Sequence, residues 1–141
     1  MDLTLAIVKP DAVSRNLAGK VLGLLEEKGF RICALRMLHM TEAQAQEFYA
    51  VHRERPFYGS LVKFMTSGPA IPVVLERADA VPALREAIGA TDPKEAAAGT
   101  VRSLFAESKE RNAIHASDSA ENAVREIAFF FPTSEVLATG R

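Results

Sequence analysis

The sequence contains little of what would tie it to a secreted, membrane-bound or nucleic-acid-binding class. It has one cysteine, Cys33, so no disulfide can form within the chain and no cysteine-based zinc site is available. No apolar run approaches the roughly 20 residues that cross a bilayer, and the opening MDLTLAIVKPD is too short and too soon charged for a signal peptide. The formal net charge is −1, without a dense run of lysine or arginine. We therefore expect a cytoplasmic protein that binds neither membranes nor a specific nucleic acid.

The two common nucleotide-binding signatures are also absent. Gly19-Lys20 lacks the earlier glycine and the following serine or threonine of a P-loop, and no GxGxxG occurs. P-loop and dinucleotide-binding Rossmann folds are therefore excluded. If the protein binds phosphate, the cations must come from separate parts of the chain.

Length and composition predict a single domain, 1–141. The chain has 141 residues, of which 48% are hydrophobic, enough for a sizeable core. Within this domain we predict a long active-site loop at 90–111 and a C-terminal tail at 132–141. The loop is rich in alanine, glycine, proline and charge, and loops of about twenty residues are usually functional or disordered.

Hydrophobic periodicity and stop signals predict the elements of the fold. Strands are predicted at Leu3–Lys9, Phe30–Met40, Ile71–Arg77 and Asn112–His115. The middle of the second strand is apolar at both odd and even positions, which suits a strand covered on both faces. Helices are predicted at 18–28, 41–51, 60–66, 79–88 and 119–130, with capping boxes at Thr41-x-x-Gln44 and Asp118-x-x-Glu121. This order predicts an α+β fold, a ferredoxin-like four-stranded antiparallel sheet covered by helices.

His115 ends the predicted fourth strand, a turn before the N-terminus of the last helix. The free N–H groups of a helix N-terminus favour anions, and an imidazole that is mostly neutral at pH 7 can act as a nucleophile. Position alone favours a satisfied, partly buried structural histidine over a functional one. The side chains available for phosphate are Lys9 at the tip of the first strand, Arg85 before the long loop, and Thr91 and Arg102 within it. Each alone is typical of a solvated surface residue, and only their joint placement favours a site.

Six blocks of the sequence resemble the nucleoside diphosphate kinases in order and spacing. They are IVKPDAV, FYAVHRERPFY, FMTSGP, REAIGATDP, GTVR and RNAIHASDSAENAVREIAFFF, and they extend from about residue 4 to residue 136. The last block contains the histidine motif of that family, NxxH[GA]SD, which is highly specific when the other blocks accompany it. The resemblance implies a ping-pong reaction in which a nucleoside triphosphate, typically ATP, donates its γ-phosphoryl to His115. A nucleoside diphosphate of any base or sugar then collects it.

The resemblance also implies roles for individual residues. His115 would be the phosphorylated nucleophile, Glu126 would orient its ring, Ser117 would support the histidine motif and Tyr49 would lie close to the transferred group. The nucleotide and phosphate positions would be Lys9, Phe57, Arg85, Thr91, Arg102 and Asn112. Phe57 would stack on the base, and stacking tolerates every base.

Two further implications of the resemblance concern magnesium and assembly. Mg²⁺ would be carried on the nucleotide phosphates, with no direct protein ligand, since the three histidines are dispersed and no acidic cluster occurs. Asp118 would reach the ion through water. The chain would form a homo-oligomer, a tetramer or hexamer built from dimers.

Lys109 departs from the family pattern, because relatives generally carry an apolar residue there on the other face of the base. Leu104 also departs from it, since an aspartate is common at that position.

Two other classes of function fit parts of the pattern. A ferredoxin-like RNA-binding module needs aromatic residues on its central strands, and LTLAIVK and IPVVLER have none. A histidine phosphocarrier would keep His115 but would not need Phe57, Lys9 and the arginines. The alternative to a kinase is therefore a histidine phosphocarrier or an inactive homologue.

Overall fold

The structure, a computed structural model, describes residues 1–138. In this part of the chain four strands form one sheet with the order β2-β3-β1-β4. They are β1 (Asp2–Val8), β2 (Arg31–Leu35), β3 (Ile71–Arg77) and β4 (Ile114–Ala116). Every neighbouring pair is antiparallel. The predicted ferredoxin-like α+β fold is therefore confirmed.

Seven α-helices cover the sheet within the described residues. They are α1 (Pro10–Ser14), α2 (Ala18–Glu27), α3 (Glu42–Phe48), α4 (Tyr58–Met65), α5 (Ala80–Ile88), α6 (Val101–Phe105) and α7 (Ala120–Phe130). Short 3-10 turns follow α3 at Ala50–His52 and α7 at Thr133–Glu135. None of the helices at positions 1 to 138 is long and apolar enough to cross a membrane.

The sheet separates two apolar layers. Successive side chains of a strand point to opposite faces, so Ala6 and Val8 of β1 pack with α2 and α5, while Leu5 and Ile7 pack with α3, α4 and α7. All four side chains are fully buried. This packing holds β1 at the centre of the domain and directs the residue after it, Lys9, toward the edge where β4 lies.

The prediction for the second strand was wrong in length and surroundings. β2 covers five residues at an edge of the sheet, and only Cys33 among them is buried. Leu35 and the following Met37 are 50% and 60% exposed. Continuous apolar character fits a strand covered on both faces, but it fits equally an edge strand whose apolar side chains are not covered within the monomer.

The region around β4 also differs from the prediction. The strand begins at Ile114 rather than Asn112, because Ala113 has a φ of +73° and cannot continue an extended chain. The capping box predicted from Asp118 was wrong. Ser119 is the N-cap of α7, and its Oγ accepts from the Asn122 N–H at 3.1 Å. The box at Thr41 is confirmed, with both of its hydrogen bonds formed.

The predicted loop at 90–111 contains a short helix, α6, whose N-cap Thr100 accepts from the Ser103 N–H. The predicted tail packs at its start, since Val136 is buried and the Leu137 N–H donates to the Cys33 carbonyl at 2.9 Å. Positions 139–141 of that tail lie outside the described residues. The extent of the domain and the active-site role of the loop stay predictions.

Candidate active site

His115 lies in β4 beside the end of β1, where it pairs with Ile7. Its Nε2 is 2.7 Å from Glu126 Oε1 on α7, and Ser117 Oγ donates to the same carboxylate oxygen at 2.8 Å. A carboxylate accepts only, so Nε2 carries the proton and the lone pair is on Nδ1. Within residues 1–138, Nδ1 has no hydrogen-bond partner. This arrangement leaves one ring nitrogen available as a nucleophile.

The surroundings of His115 keep its imidazole neutral. The side chain is 20% exposed and makes edge-on contacts with the rings of Phe48 and Tyr49 at centroid distances of 5.5 and 6.3 Å. Burial lowers the pKa of His115, the hydrogen bond and charge of Glu126 raise it, and the charges of Lys9 and Arg102 lower it, with a net decrease. The unprotonated, nucleophilic form therefore persists at neutral pH.

Glu126 is well suited to hold the histidine ring because it is itself buried and doubly hydrogen-bonded. Burial alone would raise the pKa of Glu126, but the hydrogen bond and charge of His115, with smaller help from Ser117 and Arg125, lower it. Arg125 Nη2 lies 3.6 Å from the second carboxylate oxygen. The carboxylate therefore stays ionised at neutral pH and stabilises positive charge that develops on the ring.

The Glu126→Gln variant tests this orientation. We expect the rate of any reaction at His115 Nδ1 to fall by roughly 10- to 100-fold, because a loosened reactive group loses its productive geometry. The acid limb of the pH profile should move to lower pH, since Glu126 raises the pKa of His115. Stopped-flow kinetics across pH measures both effects. Glu121→Gln, an exposed change on the same helix, is the matched control, and equal behaviour of the two variants would contradict the assignment.

Besides burial, two buried cations, Lys9 and Arg102, lower the pKa of His115 through their charge. Lys9 Nζ donates to Asn112 Oδ1 at 2.9 Å, and Arg102 donates to the Gly89 and Ile114 carbonyls at 3.0 and 2.8 Å. Burial, followed by the charge of Arg102, lowers the pKa of Lys9 to about 8. Burial, followed by the charge of Arg85, lowers the pKa of Arg102 to about 10. Mutual repulsion of this kind favours an anionic ligand, which would supply the missing negative charge.

His115 and Lys9 line a cleft of about 210 Å³. Its polar lining includes Lys9, Tyr49, Arg85, His115, Asp118, Asn122, Arg125 and Glu126. Arg85 donates to the Ala116 carbonyl at 3.3 Å. The buried Tyr49 hydroxyl finds no partner among the described residues, and burial with the charge of Glu126 raises the pKa of Tyr49. An incoming acceptor oxygen could take this hydrogen bond.

A second cleft, of about 410 Å³, shares Lys9 and Leu61 with the first. Its remaining lining residues are Phe57, Ser60, Thr91, Lys109 and Glu110. Phe57 is 46% exposed, unusual for a phenylalanine side chain, and its ring contacts that of His52. The clefts together therefore bring a cationic region next to an exposed aromatic face.

The structure places ten of the residues predicted from the sequence around these two clefts. Eight of them line a cleft, namely Lys9, Tyr49, Phe57, Arg85, Thr91, His115, Asp118 and Glu126, while Asn112 and Ser117 contact lining residues. Arg102 lines neither cleft, but it supports β4 through the Ile114 carbonyl. Lys109 lines the cleft with Phe57 and lies 4.0 Å from Asp92, and Leu104 is 56% exposed.

Sequence reasoning did not assign several residues that line the first cleft, among them two polar side chains and one aromatic ring. Asn122 and Arg125 line it from α7, and Phe48 lines it from α3. Asn122 donates to the Asp118 carboxylate at 2.6 Å, and this bond is the first cause of a lowered pKa of Asp118. The signal that could have found Asn122 is its position four residues before Glu126, which places both on one helical face.

Comparisons with known proteins match nearly the whole chain to one protein family. The family model described as nucleoside diphosphate kinase matches residues 2–136. The nucleoside diphosphate kinase of Chlorobium chlorochromatii is 57% identical over 137 residues, which cover 97% of this chain and 98% of that protein. That of Granulibacter bethesdensis is 54% identical over 138 residues, 98% of this chain and 99% of its own.

A solved structure gives the same result. An orthorhombic C222 crystal form of the Aquifex aeolicus nucleoside diphosphate kinase superposes with a TM-score of 0.94 at 49% identity, covering 96% of this chain and 98% of that one. The fold, the sequence identity and the full-length coverage therefore all indicate the same family. The chain belongs to the nucleoside diphosphate kinase family.

Proposed function

We propose that the cleft around His115 carries out the ping-pong phosphoryl transfer of a nucleoside diphosphate kinase. The observation that carries this proposal is the 2.7 Å contact between His115 Nε2 and Glu126, because it leaves Nδ1 with the lone pair in a cleft lined by cations. As a member of this family the chain is a phosphotransferase acting on nucleotides. The comparisons give no support to the alternative, a histidine phosphocarrier.

Each half-reaction exchanges one bond to phosphorus for another. In the first, the Nδ1 lone pair attacks the γ-phosphorus, and the bond to the bridging oxygen breaks, so that the nucleoside diphosphate leaves with that electron pair. In the second, a terminal β-phosphate oxygen of the acceptor attacks the same phosphorus and the N–P bond breaks, returning the pair to Nδ1. No net proton transfer to the ring is needed, because Nε2–H stays bonded to Glu126.

The cations of the site serve the transferring phosphoryl group. Phosphoryl transfer depends mainly on positioning and charge neutralisation. Lys9 and Arg85 line the cleft with His115, and Arg102 donates to the Ile114 carbonyl next to it. Tyr49, whose hydroxyl has no partner among the described residues, would donate to a phosphate oxygen. Thr91 and Asn112 would hold the remainder of the nucleotide, since one lines the cleft with Phe57 and the other contacts Lys9.

Magnesium would enter this site as a partner of the nucleotide. Within residues 1–138 no group of three or more His, Cys, Asp or Glu side chains could hold a metal ion, which supports an ion carried by the nucleotide phosphates. Asp118 is an exposed carboxylate at the cleft and would hold the ion through a water molecule. When bound, the ion would neutralise part of the phosphate charge.

The exposed ring of Phe57 would stack on the nucleobase. We expect Phe57→Ala to raise KM for nucleotides about 5- to 150-fold, the equivalent of the ~1–3 kcal/mol that stacking on one base contributes. The increase should be similar for purines and pyrimidines, because every base has a π-face. Steady-state kinetics with ADP, GDP, CDP and UDP tests this. Val124→Ala, exposed on α7, is the control, and a loss confined to one base would contradict simple stacking.

We also propose that the chain assembles as a cytoplasmic homo-oligomer, a tetramer or hexamer built from dimers. The support for assembly is the exposed edge of β2, where Leu35 and Met37 leave apolar surface uncovered. We expect Leu35→Asp to shift sedimentation toward smaller species. Unchanged sedimentation would show that the contact lies elsewhere.

Intact mass spectrometry tests the proposed function directly. Brief incubation with Mg-ATP should add one acid-labile phosphate to the wild-type chain, and a chase with GDP or CDP should remove it as GTP or CTP forms. An adduct that nucleoside diphosphates cannot discharge would point to a phosphocarrier, and the absence of any adduct would point to an inactive homologue.

A further inference from the structure

The buried carboxylate of Asp11 is a feature that the reaction described above does not use. Asp11 lies in the first turn of α1, is 1% exposed, and its Oδ2 accepts from the Ala113 N–H at 3.0 Å, across 102 residues of sequence. Arg15, on the same helix, places Nη2 at 3.7 Å from this oxygen. Buried carboxylates are rare and are normally hydrogen-bonded, and the bond that Asp11 accepts joins α1 to the residue before β4.

Ala113 is the centre of a strained turn. Its φ is +73°, and the Ile114 N–H donates to the Asn112 carbonyl at 2.9 Å, two residues back. A three-residue turn closed in this way with a positive φ is the rare γ-turn form, and a non-glycine residue with positive φ is uncommon. Such conformations persist only when the surrounding structure holds them. Both polar groups of Ala113 are held, because its carbonyl accepts from the Lys9 N–H at 2.9 Å.

The turn lies between the groups that the reaction needs. At its start Asn112 accepts from Lys9 Nζ, and at its end Ile114 leads directly into His115, two residues after Ala113. Lys9 and Asp11 flank Pro10 at the start of α1. A change in the turn would therefore move Asn112, Lys9 and His115 relative to one another.

We propose that Asp11 is a positioning residue of the phosphoryl-transfer site. By holding the Ala113 turn, it fixes the positions of Lys9 and His115 relative to each other. The assignment rests on the proposed function for its catalytic consequence, although not for its structural one. Asp11 acts through the backbone and touches neither substrate nor the reacting nitrogen.

The carboxylate also has an electrostatic effect on Lys9. Lys9 faces Asp11 on α1, Arg102 on α6 and His115 on β4, and the Asp11 charge raises the pKa of Lys9 against the larger effects of burial and Arg102. A variant without the charge but with an acceptor oxygen should therefore move the alkaline limb of the rate to lower pH. A purely structural residue would leave that limb in place.

Four variants separate these effects. Asp11→Ala removes both acceptor and charge, and Asp11→Asn removes the charge alone. Asp11→Ala with Ala113→Gly restores conformational freedom at positive φ. Leu25→Ala, in the α2 core, destabilises the fold without touching the turn. Urea unfolding shows that each variant is folded. Single-turnover phosphorylation of His115 over a range of Mg-ATP concentrations gives the limiting first-order rate, and steady-state kinetics gives KM.

We expect Asp11→Ala to slow phosphorylation 10- to 100-fold, mainly through the first-order rate rather than through KM. Adding Ala113→Gly to this variant should raise its phosphorylation rate at least threefold. Asp11→Asn should stay within a few-fold of wild type at neutral pH, with its alkaline limb displaced to lower pH. Losses no larger than those of Leu25→Ala, together with an unmoved alkaline limb in Asp11→Asn, would overturn the proposal.

A crystal structure of Asp11→Ala supplies a readout independent of catalysis. It should show Ala113 outside the left-handed region and a lengthened contact between Lys9 and Asn112. If the turn is unchanged, the proposal fails even though the enzyme is active. If wild type forms no phosphohistidine, the proposed function fails, and this structure still decides whether Asp11 holds the turn.

Discussion

Replacement of His115 by alanine should abolish the phosphoenzyme and lower kcat by about 10⁴-fold or more, because the variant lacks the nucleophile through which both half-reactions pass. Removing the ring also leaves the buried Glu126 without the partner that lowers its pKa. His115→Gln is therefore the better second variant, since its amide can donate to Glu126 while offering no comparable nucleophile.

The measurement is phosphate incorporation by intact mass, followed by the rate of phosphate exchange between ATP and GDP. His39→Ala is the matched control, because His39 is exposed and bonds the Thr66 carbonyl on another part of the surface. Phosphorylation of the His115→Gln chain at the wild-type rate would show that another residue accepts the phosphoryl group.

Replacement of Lys9 by methionine should lower kcat/KM for ATP by about 10²- to 10³-fold, the usual effect of losing one preorganised charge at a transferring group. Methionine matches the unbranched stem of lysine, so the change removes mainly the ammonium. Single-turnover phosphorylation measures the loss. Lys20→Met, exposed on α2, is the control, and comparable rates in the two variants would remove Lys9 from the site.

The same lysine gives the wild-type enzyme a pH limit. The pKa of Lys9 is lowered to about 8, so the ammonium is present below that pH and is lost as the pH rises through it. The pKa of His115 is also lowered, so its neutral form is lost only as the pH falls below the usual range of about 6.5. The plot of kcat/KM against pH, which reports the free enzyme, should therefore be bell-shaped, and its alkaline limb should be missing in Lys9→Met.

The clearest gap between sequence and structure concerns pairs of distant residues. The resemblance to a family suggested that Glu126 orients His115, and short-range periodicity correctly predicted β3 to its ends, Ile71 and Arg77. No local pattern indicates that Asp11 bonds the Ala113 N–H, because the two are 102 residues apart. The positive φ of Ala113 could not be predicted either, because glycine in a sequence suggests a left-handed conformation and alanine does not.

What the sequence by itself determined is the class of fold, the order of its four strands and five of its helices, and the family, because periodicity, caps and motifs are properties of neighbouring residues. Tertiary structure alone decided that β2 is a half-exposed edge strand, that Ser119 rather than Asp118 caps α7, and that Lys9, Asn112 and Asp11 meet at one turn. These features depend on which surfaces the packed sheet and helices bring together. Contacts between distant segments form only when the whole chain buries its core, so no short segment of the sequence predicts them by itself.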